Sequence, residues 1–315
     1  MRIAIFGSGG VGGYLGGRLA EAGEEVIFIA RGQHLQAIKE RGLRVDSIEG
    51  DFVIHPAQAN DNPEEVGPVD AVLVAVKTWQ VTGAAEAIRP MVGPDTFVVP
   101  LQNGVEAPDQ LAEVLGADHV LGGLCGMVSF IAGPGHIKHT GILPFIKFGE
   151  MDNHRSERVE QLYRAFKRAK GMDVEVPPDI RVAMWQKFLL IAAWSGVGGV
   201  TRAPIGIIRS LPETRRMLEQ TMQEVYEVGR AHNVDLPGDV VKQTMVNFFD
   251  KVPAGGTASM QRGIMEGRPS ELEAQNGAVL RLGHAVGIPT PMNAFIYHTL
   301  LPAELRVRGQ VEFPG

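Results

Sequence analysis

Hydrophobic residues in the first half of the chain form short runs, and amphipathic stretches separate these runs. The runs predict β-strands at Arg2–Phe6, Glu25–Ile29, Leu43–Asp46, Phe52–His55, Val69–Val76, Thr96–Leu101, Ile137–His139 and Phe145–Phe148. The stretches between them carry apolar residues at the period of a helix, over Val11–Ala22, His34–Arg41 and Ala107–Leu115. This alternation of strands and helices predicts a doubly wound α/β domain, with the last two strands at one edge of its sheet.

The second half of the chain has a different pattern, which begins after the Pro177-Pro178 pair. Helical periodicity dominates it and predicts helices at Val182–Trp194, Thr214–His232, Asp239–Phe249, Ser270–Val286 and Ala294–Leu305. We therefore place a domain boundary near residue 176, which gives an α/β domain over residues 1–176 and an all-helical domain over residues 177–315.

Composition argues against several classes of protein. The chain has 315 residues, of which 44% are hydrophobic and 21% charged, and its net charge is −6. These values argue against a disordered chain and against a nucleic-acid partner. The apolar runs Ala71–Val76 and Phe188–Trp194 are far shorter than the roughly 20 residues of a membrane span. Cys125 is the single cysteine, which excludes an internal disulfide and favours a cytoplasmic location.

A glycine motif, Gly7-Ser8-Gly9-Gly10-Val11-Gly12, follows the first predicted strand and opens the first predicted helix. In this context Gly7 permits a tight turn, Gly9 admits a pyrophosphate to the backbone, and Gly12 lets the helix pack on the strand. The helix N-terminus offers free N–H groups to the phosphates. The motif therefore predicts that residues 1–176 bind a dinucleotide; the alternative is a glycine-rich turn without a ligand.

Three polar residues follow other predicted strands. Arg31 stands where an acidic residue would favour NAD, and an arginine there suits the 2′-phosphate of NADP. Lys77 and Asn103 stand at the carboxyl ends of their strands, where open α/β sheets bind ligands. The alternatives are a solvated loop arginine, a surface lysine and an Asn-Gly turn.

Lys187 is the only charged residue between Val182 and Thr201. A lysine in such an apolar helix either extends its ammonium to the surface or is buried for a purpose. Burial lowers the pKa of an ammonium and makes it a better proton donor near neutral pH. Lys187 is therefore a candidate general acid for the reduction of a ketone.

Two other positions in the helical half are candidates for the same site. Ser270 and Glu273 have the spacing of a capping box, which leaves Glu271, at the first helical position, for the site or for the helix dipole. Ser259 lies among small residues that would admit a ligand, or it caps a helix. The histidines show no metal-binding spacing, so no metal site is expected.

These residues lie in longer stretches that resemble the ketopantoate reductase (2-dehydropantoate 2-reductase) family over nearly the whole chain. The matching stretches are GSGGVG at 7–12, AVLVAVKTWQV at 71–81, QNG at 102–104, IRVAMWQKF at 180–188, SMQRGIMEGRPSELEAQNGAVLRLG at 259–283 and GIP at 287–289. The resemblance implies a Rossmann domain followed by a helical domain like that of 6-phosphogluconate dehydrogenase. It also implies the NADPH-dependent reduction of ketopantoate, a small 2-keto acid, in pantothenate biosynthesis.

The resemblance assigns roles to individual residues. Lys187 matches the catalytic lysine of the family, and Glu271 matches an acidic residue near cofactor and substrate. The implied substrate-binding residues are Asn103, Lys187, Ser195 and Ser259. The implied cofactor-binding residues are Gly7, Ser8, Gly9, Gly10, Val11, Gly12, Arg31, Lys77, Asn103 and Glu271.

The chain departs from the family at three positions. Ile191 and Ser195 stand one and two helical turns after Lys187, where the family commonly has asparagines, and Ile205 stands at a third such position. Ser195 still offers a hydroxyl on the Lys187 face, whereas Ile191 offers only apolar surface. Two alternatives therefore stay open: a related reductase of a less polar 2-keto acid, and a dinucleotide-binding sensor without turnover. We expect a small-molecule substrate, no nucleic-acid or membrane partner, and a monomer or homodimer.

Overall fold

The structure is a computed structural model that describes residues 1–313. Its contacts divide the chain into two compact units. The first unit comprises Met1–Gln102 and Ala107–Ile180, and the second comprises Asn103–Glu106 and the residues from Arg181 onward. The boundary predicted near residue 176 lies a few residues before this division, and the prediction did not separate Asn103–Glu106 from the first domain.

A parallel five-stranded sheet forms the centre of the first unit. In spatial order its strands are β5 (Gln58–Asn60), β2 (Glu25–Ile29), β1 (Arg2–Phe6), β6 (Ala71–Val74) and β7 (Phe97–Pro100). The helices of this unit are α1 (Gly10–Glu21), α2 (Gly32–Arg41), α3 (Pro63–Val66), α4 (Val81–Ile88), α5 (Ala107–Leu115) and α6 (Glu157–Arg168). The strand order reverses at β1, as in the Rossmann arrangement, which confirms the predicted doubly wound α/β fold.

A second sheet lies in the same unit and was not predicted. Its strands are β3 (Leu43–Ser47), β4 (Phe52–Ile54), β8 (Gly122–Gly133), β9 (His136–Gly149) and β10 (Asp173–Glu175). Ile137–His139 and Phe145–Phe148, expected as two edge strands of the main sheet, are instead parts of the single strand β9. That prediction was wrong because the pairing of β8 with β9 shifts register between Gly126 and Val128. The extra residues of β9 include a glycine and a proline, which in the sequence favour a break between strands.

The described part of the second unit is helical, as predicted. Its helices are α7 (Ile180–Thr201), α8 (Ile205–Ser210), α9 (Pro212–Ala231), α10 (Val240–Thr244), α11 (Ser259–Met265), α12 (Ala278–Ala285) and α13 (Pro291–Val307). Two π-helical turns, Met245–Phe249 and Glu273–Gly277, interrupt the regular helices predicted over Asp239–Phe249 and Ser270–Val286. None of the described helices is long and apolar enough to cross a membrane.

Helix α1 packs directly on the central sheet through a glycine. A Cβ added at Gly16 would lie 2.5 Å from Cγ1 of Ile5 on β1 and 2.8 Å from Cε1 of Phe28 on β2. Both side chains are fully buried in the core of the unit. The helix can therefore approach the strands this closely only because position 16 has no side chain.

Gly16→Ala is expected to lower the free energy of unfolding by about 1–3 kcal/mol, because a methyl group would overpack the contact with Ile5 and Phe28. Gly83→Ala is the matched control, since Gly83 also lies in a helix but nothing surrounds its Cβ position. Gly83→Ala is expected to raise the free energy of unfolding by about 0.5–1 kcal/mol. Urea unfolding of both variants measures the difference, and equal effects would contradict the packing argument.

Candidate active site

The glycine turn after β1 has the geometry that its sequence predicts. Gly7 has a φ of 100°, and a Cβ at this position would lie 3.0 Å from the Ala75 carbonyl carbon and the Val76 nitrogen. The N–H groups of Gly7 and Ser8 both donate to the carbonyl of Ile29, at 3.3 and 3.2 Å, which joins the turn to the end of β2. The backbone is therefore held in place by both neighbouring strands.

The N-terminus of α1 is open on the side of Gly9. No heavy atom of a non-neighbouring residue lies within 4 Å of a Cβ built at Gly9, whereas one at Gly12 would lie 2.2 Å from the Gly7 carbonyl oxygen. No described side chain caps this end of α1, and its first turn carries no acidic residue. The first N–H groups of a helix have no partner within the helix. The turn thus fits the pyrophosphate of a dinucleotide, which the free N–H groups and the helix dipole would bind.

Strand β8 borders the same helix end, which the sequence did not indicate. A Cβ at Gly10 would lie 2.4 Å from the Ser129 carbonyl oxygen. Ser129 pairs with His139 across the hairpin, and the His139 ring contacts the Tyr14 ring on α1 at 4.7 Å. The Ser129 side chain therefore lies on the hairpin face that covers α1. Its hydroxyl is buried without a hydrogen-bond partner among residues 1–313.

His34 links the glycine turn to the β8–β9 hairpin and was also missed from the sequence. Its Nδ1 accepts from the Gly135 N–H at 3.1 Å, so Nε2 carries the proton and donates to the Ser8 carbonyl at 2.8 Å. Burial lowers the pKa of His34. The neutral ring is thus the form that bonds to both backbone segments. The position of His34 near the start of α2 does not indicate this role in the sequence.

The two cationic residues assigned to the cofactor are both exposed in the first unit. Arg31 directly precedes α2, where its carbonyl accepts from the Leu35 N–H, and no hydrogen bond or ion pair is recorded between its guanidinium and residues 1–313. Lys77 begins the turn after β6, where its N–H donates to Oε1 of Gln80. The nearby Gln102 side chain donates to the carbonyls of Val74 and Val76, which fixes the carboxyl edge of the sheet.

In the second unit the structure brings Asn103 and Glu271 together. The Asn103 Nδ2 donates to Oε2 of Glu271 at 3.0 Å, although 168 positions separate the two residues. Gly104 allows the loop to approach closely, because a Cβ at this position would lie 2.8 Å from the Ala274 carbonyl oxygen. The loop therefore packs against the π-helical turn that follows Glu271.

The predicted capping box is wrong. The Ser270 N–H donates to both carboxylate oxygens of Glu304, at 2.9 and 3.1 Å, and the Ser270 hydroxyl donates to the same group. Glu273 instead accepts hydrogen bonds from Arg281 and from the Tyr297 hydroxyl. The partner of the Ser270 N–H thus comes from α13, which local spacing could not reveal, and Glu271 precedes a π-helical turn rather than opening an α-helix.

Helix α7 carries Lys187 and Ser195 on one face. The Lys187 side chain is half-buried, Ile191 is partly buried, and Ser195 is 2% exposed. Ile205, by contrast, is fully buried in the apolar core of the unit and presents no surface to a ligand. Ser259 is an exposed first residue of α11 rather than its cap, and the structure records no hydrogen bond that joins it to the other candidates.

A buried network fixes α7 in position. Asn276 Nδ2 donates to the Ala192 carbonyl on α7 at 3.2 Å and to Oδ1 of Asn293 on α13 at 2.9 Å. Asn293 Nδ2 in turn donates to Oε2 of Glu224 on α9 at 2.7 Å. Gly196 permits the contact, since a Cβ there would lie 2.8 Å from the Asn276 amide.

Comparisons with known proteins match both units of the chain. The family model described as "Ketopantoate reductase PanE/ApbA" matches residues 3–153, and its C-terminal counterpart matches residues 179–304. A 2-dehydropantoate 2-reductase from Nostoc sp. is 31% identical and covers 95% of this chain and 94% of its own. The crystal structure of a 2-dehydropantoate 2-reductase from Geobacter metallireducens is 32% identical, covers 96% of this chain and 100% of its own, and has a TM-score of 0.88. A D-mandelate dehydrogenase is similar in fold, with a TM-score of 0.87 at 20% identity and coverage of 98% and 100%.

Stability is expected to fall as the pH drops below about 6.5, the ordinary pKa of histidine. The unfolded chain then binds a proton at His34 that the folded chain, with its lowered pKa, does not bind, so protonation favours unfolding. His34→Asn should therefore reduce the loss of stability at low pH. Burial also lowers the pKa of His139, so His139 contributes a further part of this loss. Thermal unfolding between pH 7 and 5 measures the effect, and His284→Asn, at an exposed position, is the control. An unchanged pH dependence in His34→Asn would contradict the assignment.

Proposed function

This chain belongs to the ketopantoate reductase family and is an oxidoreductase of that type, and we propose that it reduces ketopantoate with NADPH. The observation that carries the proposal is the hydrogen bond between Asn103 and Glu271, in the same unit as the half-buried Lys187. These three residues stand at the positions that the family resemblance assigns to substrate, cofactor and proton transfer. The proposal is tested by NADPH oxidation against a panel of 2-keto acids.

The first unit would hold the cofactor. The N–H groups at the start of α1, from Gly10 to Gly12, have no side-chain cap, and the open side of Gly9 leaves room for the pyrophosphate beside them. Arg31 suits the 2′-phosphate, because its guanidinium is exposed and has no partner among residues 1–313. Lys77 adds a second positive charge at the carboxyl edge of the sheet. When bound, a reduced nicotinamide supplies the hydride.

The second unit would bind the substrate and move the proton. Lys187 donates a proton to the keto oxygen as negative charge develops there, and its apolar neighbours on α7 strengthen this interaction by excluding water. Glu271 holds the Asn103 amide through Oε2 and leaves Oε1 to orient Lys187 or a substrate hydroxyl. Ser195 and Ser259 offer hydroxyls to substrate oxygens.

One observation favours a less polar 2-keto acid as the second candidate. Ile191 stands on the Lys187 face of α7, where it presents apolar surface in place of an amide. A lost hydrogen bond of about 1 kcal/mol predicts reduced preference for ketopantoate, not loss of turnover. A sensor without turnover is disfavoured, since it needs neither Lys187 nor Glu271. The monomeric or dimeric state and the cytoplasmic location stay predictions.

Arg31→Ala is expected to weaken NADPH binding by about 10- to 100-fold, because a charge-assisted hydrogen bond is worth about 1.5–3 kcal/mol. NADH lacks the 2′-phosphate, so its affinity should be nearly unchanged. Fluorescence titration of both cofactors measures the difference. Arg41→Ala, at the exposed far end of α2, is the control. Equal losses for NADPH and NADH would show that Arg31 has a structural role.

Lys187→Ala is expected to lower kcat by about 10²–10⁴-fold while NADPH binding persists, because the developing alkoxide loses its proton donor. Steady-state kinetics and cofactor titration separate the two effects. Lys187→Arg keeps the charge but gives up a proton poorly, so it should not restore turnover. Near-normal turnover of Lys187→Ala would overturn the assignment.

A further inference from the structure

Gln275 is a buried amide without hydrogen bonds. It lies in the π-helical turn Glu273–Gly277 and is 0% exposed, yet neither Nε2 nor Oε1 has a partner among residues 1–313. Burial of an unpartnered amide is unfavourable, and folded proteins rarely retain one without a reason. Gln261 in the same unit shows the usual arrangement. It is also 0% exposed, but its Nε2 donates to the Ala203 carbonyl and its Oε1 accepts from the Ala258 N–H.

The backbone places Gln275 beside the candidate site. Its N–H donates to the Glu271 carbonyl at 3.0 Å, so it lies one turn after Glu271 on nearly the same face. The next residue, Asn276, reaches α7 through its hydrogen bond to the Ala192 carbonyl. Gln275 therefore lies one turn after Glu271 and next to the residue that joins this turn to α7, the helix that carries Lys187 and Ile191.

We propose that the Gln275 carboxamide binds a hydroxyl group of the substrate, and that this contact makes the enzyme selective for hydroxylated 2-keto acids. The proposal rests on the proposed function. An amide has one acceptor oxygen and an NH₂ donor, and a hydroxyl is both donor and acceptor, so one hydroxyl can satisfy Oε1 and Nε2 together. A carboxylate would use only Nε2 and would bring its negative charge near Oε1. The unsatisfied pair of atoms therefore matches a hydroxyl.

The same contact accounts for the apolar residue on α7. Ile191 places no amide on the Lys187 face of α7, whereas Gln275, one turn after Glu271, carries an amide without a partner among residues 1–313. A buried polar group that waits for a substrate partner discriminates strongly against an analogue that lacks this partner, because the group is then left unpaired. Selectivity for the hydroxyl would thus come from the turn after Glu271.

The test compares Gln275→Leu with the wild-type chain on two substrates. Ketopantoate and 3,3-dimethyl-2-oxobutanoate differ only in the hydroxyl. The variant should lower the ratio of kcat/KM values, hydroxylated over unhydroxylated, by about tenfold or more, with turnover of the unhydroxylated acid retained. Because the replacement removes an unpaired buried amide, Tm should be unchanged or raised by about 2–4 °C.

Gln261→Leu is the matched control, since it leaves the Ala203 carbonyl and the Ala258 N–H without partners. It should lower Tm and leave the ratio of kcat/KM values unchanged. An unchanged ratio in a folded Gln275→Leu, or a loss of Tm like that of Gln261→Leu, would overturn the proposal for Gln275 alone. If the wild-type chain reduces neither acid, the proposed function fails and this inference fails with it.

Discussion

The Asn276 amide is the interaction on which the second unit depends. A single side chain joins α7 to α13, and through Asn293 and Glu224 it also joins both helices to α9. The Glu224 carboxylate further accepts the N–H groups of Met292 and Asn293 at the start of α13. These buried hydrogen bonds form only in this packing of α7, α9 and α13, so the network allows few alternative packings of the helices. The face of α7 that carries Lys187 is fixed as a result.

In the first unit, the close packing of α1 depends on the absence of side chains at its glycines. Gly12 and Gly16 let α1 lie against β1, and Gly10 admits strand β8 to the helix end. Each of these contacts uses space that a single methyl group would fill. Among the four glycines of the turn, Gly9 is the one that leaves open space for a ligand to approach the backbone.

Much of the fold could be predicted because its signals are local. Val69–Val76 and the glycine motif indicate a buried parallel strand and a dinucleotide turn within a few residues of sequence. The second sheet escaped prediction because its strands come from distant segments, and the irregular pairing of β9 hides its continuity. Glu304 accepts from the Ser270 N–H at a separation of 34 positions, and His34 accepts from the Gly135 N–H across 101 positions. No spacing rule detects such partners, whereas Lys187 is conspicuous as the one charge in an apolar helix.

The His34 ring also connects two parts of the first unit thermodynamically. It holds Ser8 in the glycine turn and Gly135 in the hairpin that joins the two longest strands of the second sheet. A ligand that binds only the folded turn stabilises the whole cooperative unit to which the turn belongs. We therefore expect the amide protons of the hairpin to exchange with solvent more slowly when the turn is occupied, although the hairpin lies outside the sheet that carries the motif.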